Sequence, residues 1–151
     1  MREIPGFIIH NAPRTKKNSS RVVNIGPMCR TCGRRGGFPK VLPSEAYEQW
    51  EAAAIRESMV IKAKLRAMGV DLPIMAPISV EALIYRERDT GDAVGYYQAV
   101  GDMLQEAGII KDDRLIEDWD GSRRLIDRVN PRVEIYIRVL EGAQENLCLS
   151  E

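Results

Sequence analysis

Residues 78–108 read ISVEALIYRERDTGDAVGYYQAVGDMLQEAG and contain the clearest strand and one of the clearest helices of the chain. From Ile78 to Ile84 apolar side chains recur at every second position, which is the pattern of a β-strand that buries one face. From Ala93 onwards they recur at helical spacing, with Asp92 as an N-cap in front and Gly108 behind the last turn. The stretch therefore predicts a strand followed by an amphipathic helix.

Other elements lie on both sides of this pair. Residues 3–11 predict a first strand, and Ser44 caps a long first helix that stops at Gly69. After the second helix, residues 114–126 are predicted to be partly extended around a turn, and residues 132–139 alternate as a closing strand.

These elements predict an α+β fold in a single domain. We expect a mixed sheet with two main helices in the order β-α-β-α-β-β, covering residues 1–140. Residues 141–151 show no such pattern and are predicted to be a flexible tail.

Basic residues are unevenly distributed along the chain. The 151 residues carry no net charge, but residues 1–40 hold nine lysines and arginines and one acidic residue, whereas residues 41–151 hold 13 and 21. Residues 11–43 are rich in glycine, proline and serine and predict a long basic loop, with a short hairpin at Arg21 to Ile25. Such a loop is typical of a segment that binds a polyanion or of a solvated surface on an acidic body, and the sequence leaves both open.

Composition excludes several classes of protein. Hydrophobic residues make up 44% of the chain, and no apolar run approaches the roughly 18 residues of a membrane span. The first residues lack the apolar stretch of a secretory signal, which predicts a cytoplasmic protein without a membrane partner. The chain has a single histidine, His10, which argues against a histidine-rich zinc site and against a Ser-His-Asp triad. We expect His10 to be structural.

Acidic side chains cluster around the second helix. Ten of them lie in residues 87–120, with Asp89 and Asp92 before the helix and the pair Asp112 and Asp113 after it. Carboxylate oxygens are the ligands that Mg²⁺ and Mn²⁺ prefer, and these ions activate water for phosphodiester hydrolysis. The alternative is a helix cap and solvated turns. The adjacent pair favours the metal, because neighbouring carboxylates repel unless water or a cation separates them.

Cys29 and Cys32 have the spacing of one half of a zinc site. A structural zinc ion needs four ligands, and the only other cysteine, Cys148, lies in the predicted tail. A reduced pair in a loop is therefore the prediction. A zinc ion shared across a dimer, in a zinc-linked interaction protein, is the alternative.

Residues 92–113 also carry the motifs of a known family. The segment GDMLQEAGIIKDD, which ends at Asp113, is similar to a helix ending of the form D-A-L-x-x-A-G-x-x-x-D-D, and counting back without gaps puts Asp92 on the first aspartate of a D-x-D-N-x-x-K pattern. Weaker similarities lie at residues 13–19, 44–47 and 130–135. On these motifs the chain resembles the RusA-type Holliday-junction resolvases, small dimeric metal-dependent DNA endonucleases often carried by phages.

Three positions depart from the family pattern. Where the family has its second aspartate, its asparagine and its lysine, this chain has Val94, Gly95 and Gln98. Asp89 could supply the missing carboxylate, and Lys111 or Arg88 the positive charge. A relative that binds DNA without cleaving it is the alternative.

The resemblance implies an endonuclease that resolves four-way DNA junctions in recombination and repair, as a homodimer that requires Mg²⁺ or Mn²⁺. Asp92 and Asp113 would hold the ion, with Asp112 and Asp89 in support and Lys111 as a further catalytic candidate. The expected contacts with DNA are Arg14, Lys16, Lys17, Asn18, Arg21 and Arg88.

The length of the second helix constrains this site. Residues 93–107 span about 22 Å at 1.5 Å per residue, which separates Asp92 from Asp113 unless the chain returns along the helix. A second subunit could instead place its Asp113 beside Asp92. We expect the return within one chain, because cleavage of two strands needs two independent sites.

Overall fold

The computed structural model describes residues 2–16, 20–34 and 36–140. Three predictions fall outside these residues. They are the DNA contacts of Lys17 and Asn18, the position of Cys148, and the flexible tail at residues 141–151.

Seven strands and two α-helices form within the described residues. In chain order they are β1 (Arg2–His10), β2 (Arg21–Ile25), β3 (Phe38–Leu42), α1 (Glu45–Ala67), β4 (Ile78–Arg86), α2 (Ala93–Glu106), β5 (Ile116–Asp118), β6 (Arg123–Ile126) and β7 (Arg132–Val139). A short 3₁₀ turn, Asp113–Leu115, follows α2. In the part of the chain that the structure describes, no helix combines the length and apolarity needed to cross a membrane.

β4 and β7 form the centre of a mixed five-stranded sheet. β7 pairs antiparallel with β1 on one side and with β4 on the other. β4 in turn pairs parallel with β5 and β6, which follow one another along its far edge. Parallel pairing requires a crossover, and α2 provides it. The α+β fold with a mixed sheet and two main helices is therefore confirmed.

Both helices begin and end at the predicted capping residues. Ser44 Oγ and Asp92 Oδ1 each accept the backbone N–H three residues further on, at 3.1 Å and 3.0 Å. Gly69 and Gly108 follow the helices with φ of +81° and +68°. A β-carbon is strained in that conformation, so glycine is the residue that ends a helix there at least cost.

The core lies between the sheet and the two helices. Alternate residues of β4 from Ile78 to Ile84 are fully buried, as the period-two pattern predicts. α2 adds Met103 and Leu104, and α1 adds Tyr47, all without exposed surface. Burial of one such side chain stabilises the fold by roughly 1.5–3 kcal/mol. Packing, more than helix propensity, thus fixes α2 against β4.

The predicted order β-α-β-α-β-β is incomplete. The short hairpin predicted at Arg21 to Ile25 is longer than expected, because these residues form only its first strand, β2, which pairs antiparallel with β3. Residues 114–126 hold two short strands. β3 is hidden in the sequence because Pro39 and Lys40 interrupt its apolar residues. Its partner strand also lies beyond a glycine-rich turn, so no local pattern connects the two.

Candidate functional site

Asp92 lies at the turn between β4 and α2. Its Oδ1 accepts the backbone N–H of Gly95 at 3.0 Å, so the exposed carboxylate caps the helix. Thr15 packs on the same turn. A β-carbon added to Gly95 would be 2.9 Å from Thr15 Cγ2 and would collide with Asp92. A side chain at this position, such as the asparagine of the resembled family, would therefore have to displace Asp92 or Thr15.

A cleft of about 500 Å³ opens beside this turn. It lies between the loop after β1, the first half of α1 and the loop from β4 to α2, and we call it the arginine cleft after Arg14, Arg86 and Arg88 in its wall. Glu87 is the one acidic residue that lines it, so the wall carries an excess of positive charge. Its other polar and aromatic lining residues are Asn11, Gln49, Trp50, Thr90 and Tyr96.

Arg86 is the buried part of the arginine cleft. Only 5% of its surface is exposed, and its two terminal nitrogens donate to the Thr90 carbonyl at 2.8 Å and to Asp89 Oδ1 at 2.9 Å. The guanidinium lies 5.7 Å from the centre of the Tyr96 ring, whose hydroxyl donates to the same Thr90 carbonyl. Its Nε has no hydrogen-bond partner among the described residues. The loop between β4 and α2 is thus wrapped around one buried cation.

Asp113 lies in a second hollow, of about 340 Å³, on the outer face of α2. We call it the Asp113 hollow, and its lining residues are Val94, Tyr97, Gln98, Gly101, Asp113, Ile116 and Trp119. The rings of Tyr97 and Trp119 stack at 5.2 Å between centroids and form its apolar wall. Two of the positions that depart from the family pattern, Val94 and Gln98, therefore face the same space as Asp113.

The chain after α2 does return along the helix. The backbone N–H of Asp113 donates to Gln105 Oε1 at 2.9 Å, and the Asp113 Cβ lies 3.9 Å from where a β-carbon on Gly101 would be. The return brings Asp113 back to the middle of α2. The expectation that the chain doubles back is confirmed to that point.

The return stops short of Asp92. Asp92 lies beside Gly95 and Asp113 beside Gly101, six residues further on, which is about 9 Å along the helix axis. Two oxygens on one Mg²⁺ lie within about 4 Å of each other, since each Mg–O distance is about 2.1 Å. Within residues 2–16, 20–34 and 36–140, no three Asp, Glu, His or Cys side chains gather as a metal site. Asp92 and Asp113 therefore lie at different turns of α2, and their assignment to a single ion stays a prediction.

The supporting carboxylates have other contacts. The backbone N–H of Arg114 donates to Asp112 Oδ1 at 3.0 Å and, together with the charge of that arginine, holds the pKa of Asp112 below its usual range. Asp89 accepts from Arg86. Lys111 is exposed, and its backbone N–H donates to the Ile74 carbonyl. The assignment of these residues to a metal site stays a prediction.

The predicted DNA contacts divide into two groups. Arg14 and Arg88 are exposed and line the arginine cleft. Lys16, in contrast, lies 2.6 Å from Asp102 on α2, and Arg21 pairs with Glu45 and with Glu48 at the start of α1. Lys16 and Arg21 therefore hold the basic segment against the two helices. For these two residues the structure favours the second of the two alternatives, a basic surface that lies on the acidic body of the protein.

Several residues of the cleft and the hollow were not predicted as site residues. Arg86 could have been recognised from the sequence, because it is a charged residue at an inward-facing position of β4 where the preceding inward-facing residues are apolar. Arg124 lines neither the cleft nor the hollow, but it donates to the Gly91 carbonyl at 2.7 Å and so fixes the turn in front of Asp92. Trp119 and Tyr97 carry no such signal, because they come together only through the return of the chain after α2.

His10, Cys29 and Cys32 are not among the residues that line the arginine cleft. His10 is exposed at the end of β1 and its Nδ1 is 2.9 Å from Glu57 Oε1, which fits the structural role predicted for it. Cys29 and Cys32 are exposed free thiols in the turn between β2 and β3.

Comparisons with known proteins identify no family for this chain. No family model matches the sequence, and no curated protein matches it either.

Proposed function

We propose that the protein is a metal-dependent endodeoxyribonuclease that cleaves four-way DNA junctions. The observation that carries this proposal is the arginine cleft, which lies directly beside the turn that holds the exposed Asp92. A cationic cleft next to a carboxylate is the arrangement that binds a phosphodiester and holds a divalent cation against it. The resemblance of residues 92–113 to the RusA-type resolvases supplies the substrate class.

Electrostatics support a polyanionic ligand for the cleft. Arg14 and Arg88 are exposed in its wall, whereas Arg86 is buried and paired with Asp89, and the one acidic lining residue is Glu87. Arg128 borders a neighbouring hollow together with Arg88, where Glu87 and Asp89 balance the two arginines. Arginine binds phosphate through two parallel hydrogen bonds, which fixes the position of a DNA backbone without reading its sequence. We therefore expect the cleft to bind DNA with little sequence preference.

The exposed carboxylates fit a hydrated Mg²⁺. This ion commonly keeps several waters and is held by one or two carboxylates together with the phosphate of its substrate. Asp113, exposed at the Asp113 hollow, offers one carboxylate, and Asp92 offers another at a separate position. The bound ion would supply a nucleophilic water and neutralise charge on the phosphate. The residues of the arginine cleft would hold the DNA backbone in place.

A homodimer suits the proposed substrate. Two equivalent subunits related by a twofold axis would cut two symmetric strands of a four-way junction. We also propose the cytoplasm as the compartment, and the free thiols of Cys29 and Cys32 fit its reducing conditions.

A second candidate is a protein that binds junctions without cutting them. Val94 and Gln98 favour it, because these uncharged side chains line the hollow of Asp113 where the resembled family carries an aspartate and a lysine. Asp113 is the one charged residue among those that line the hollow, so neither a second carboxylate nor a cation lies beside it there.

Cleavage of a labelled four-way junction, compared with a linear duplex in Mg²⁺, Mn²⁺ and EDTA, tests the proposal. We expect symmetric nicks in the junction alone, lost in EDTA and reduced roughly 100-fold or more in Asp92→Asn and Asp113→Asn, because each would remove a metal ligand. Asp71→Asn, an exposed carboxylate in the loop after α1, is the matched control and should cleave like wild type. Tight junction binding without any nick would select the second candidate, and equal activity in all three variants would reject these residues as the site.

Binding measurements test the arginine cleft separately from cleavage. Arg88→Ala should weaken binding to every DNA sequence and reduce the slope of log K against log salt by about 1, because one phosphate contact is lost. Arg56→Ala, an exposed arginine in the middle of α1, should change neither. Equal effects of the two substitutions would contradict a phosphate-binding role for the cleft.

A further inference from the structure

The β2–β3 hairpin is a small unit without a core of its own. Its two strands pair only with each other, from Arg21 with Leu42 to Ile25 with Phe38. An isolated two-stranded hairpin is marginally stable in water, since it buries little apolar surface. Several large apolar side chains of the hairpin and its turn are exposed instead: Val22, Ile25, Met28, Phe38 and Val41.

The turn of the hairpin is built around Cys29 and Cys32. The backbone N–H of Cys29 donates to the Arg34 carbonyl at 2.8 Å, and the N–H of Gly33 donates to the Cys29 carbonyl at 3.0 Å. Gly33 has a φ of +68°, which turns the chain sharply after the second cysteine. Backbone hydrogen bonds therefore hold the two cysteines in one tight turn at the end of the hairpin.

The two cysteines on this turn have the spacing and exposure of a metal-binding pair. Thiolate is the form of cysteine that binds zinc, and two cysteines separated by two residues on a tight turn are the usual half of a tetrahedral zinc site.

We propose that this turn binds a zinc ion together with the same two cysteines of a second copy of the chain. A structural zinc ion takes four ligands, and the described part of the chain brings no third Cys, His, Asp or Glu to the pair. A twofold axis through the ion would complete the site with Cys29 and Cys32 of both copies. This inference does not depend on the proposed nuclease activity.

Charge and exposure support a second copy as the partner. Four thiolates around Zn²⁺ leave two excess negative charges, and Arg30 and Arg34 lie exposed on the same turn, where they would offset that charge. Met28 and Phe38 flank the turn with 61% and 89% of their surface exposed. A second hairpin would cover them, which gives the isolated hairpin the apolar contacts that it lacks.

Zinc analysis of the purified protein tests the site. After dialysis against metal-free buffer with citrate as a competing chelator, we expect one zinc ion per two chains, and none in Cys29→Ser or Cys32→Ser. Replacement of zinc by Co²⁺ should give the intense visible absorption of a tetrahedral ion with four thiolate ligands. Absence of zinc under these conditions, or its retention in the serine variants, would overturn the proposal.

Sedimentation tests whether the other two zinc ligands come from a second copy of the chain. Removal of zinc, or either serine substitution, should halve the mass of the assembly, while the far-ultraviolet circular dichroism of the main domain stays unchanged. Cys148→Ser is the control and should keep both zinc and mass. One zinc ion per chain, an unchanged mass after zinc removal, or loss of zinc in Cys148→Ser would each reject the shared site. DNA cleavage is read in a separate assay, so failure of one proposal leaves the other standing.

Discussion

Among the residues that the structure describes, Arg86 is the one charged side chain that is buried. Arg86 occupies the next inward-facing position of β4 after Ile84, and its side chain reaches the loop at residues 87–91. A buried cation is stable only if hydrogen-bond acceptors surround it, and this loop provides the Thr90 carbonyl and Asp89. The shape of one wall of the arginine cleft therefore depends on a single residue.

Truncation of Arg86 should destabilise the protein. Arg86→Ala removes two donors from the loop at residues 87–91, and we expect the free energy of unfolding to fall by about 1–3 kcal/mol. Urea denaturation followed by circular dichroism measures this. The exposed control Arg56→Ala should change stability by no more than about 0.5 kcal/mol. A loss no larger than that of the control would mean that the loop does not rely on Arg86.

Asp127 gives a pH dependence whose sign follows from its contacts. The backbone N–H groups of Asn130 and Val129 and the guanidinium of Arg132 donate to its carboxylate and lower its pKa. A group with a lowered folded-state pKa stabilises the fold above its unfolded pKa of about 3.9 and loses that contribution as the pH falls through the folded value.

The measurement compares wild type with Asp127→Asn across pH. We expect wild type to be the more stable at neutral pH, with a difference that is constant above about pH 5 and shrinks below pH 4. Glu117→Gln, an exposed carboxylate of β5, serves as the control. A difference that grows as the pH falls would contradict the assigned contacts.

At the scale of elements, α2 carries two glycines with opposite surroundings. A β-carbon on Gly101 would lie 3.4 Å from Ile116 Cδ1, an ordinary van der Waals contact. A β-carbon on Gly95 would lie 2.9 Å from Thr15 Cγ2 and would collide with the capping carboxylate of Asp92. The first half-turn of α2 is therefore crowded, while its middle has room for one methyl group.

The two glycines should respond to alanine with opposite signs. Gly101→Ala should raise the melting temperature, because alanine is favoured over glycine within a helix by about 0.5–1 kcal/mol. Gly95→Ala should lower it, because the helix cap, a contact of typically about 1 kcal/mol, is displaced. Thermal unfolding of both variants side by side is the test. A rise in both would show that helix propensity alone governs these positions, and a fall for Gly101→Ala would contradict the room assigned to its β-carbon.

At the scale of the whole molecule, the basic residues of the first forty positions serve two purposes. Arg14 lies in the arginine cleft, whereas Lys16 pairs with Asp102 and Arg21 pairs with acidic residues of α1. Lys16 is also 5.1 Å from the centre of the Tyr47 ring, so the loop after β1 is tied to both helices. Part of the charge asymmetry thus holds the molecule together, and part remains available to a polyanion.

The separation of Asp92 from Asp113 leads to a test on the assembly. If the proposed metal site combines Asp92 of one subunit with Asp113 of the other, a mixed dimer of Asp92→Asn and Asp113→Asn subunits contains one intact site. We expect the mixture to regain nicking of a labelled junction that neither variant shows alone. Each variant alone, at the same total protein concentration, gives the reference. No gain over the separate variants would place both carboxylates in independent sites within one chain.

The sequence determines the local architecture of this protein. The alternation in β4, the helical spacing in α2, and the caps at Ser44, Asp92 and Gly108 each depend on residues within one or two turns. Such signals are local, because backbone periodicity and capping hydrogen bonds involve near neighbours. For the same reason β3 was missed, since its strand pattern is broken and its partner is distant.

The tertiary structure alone decides which charged residues act together. Nothing local shows that Lys16 meets Asp102, that Arg86 is enclosed by the loop at residues 87–91, or that Asp113 returns only as far as Gly101. These contacts join residues that the sheet pairing and the packing of α2 bring together from distant parts of the chain. The sequence therefore fixes the types of residue available for chemistry, and long-range packing decides which of them share a site, because an electrostatic contact depends on distance in space and not on spacing along the chain.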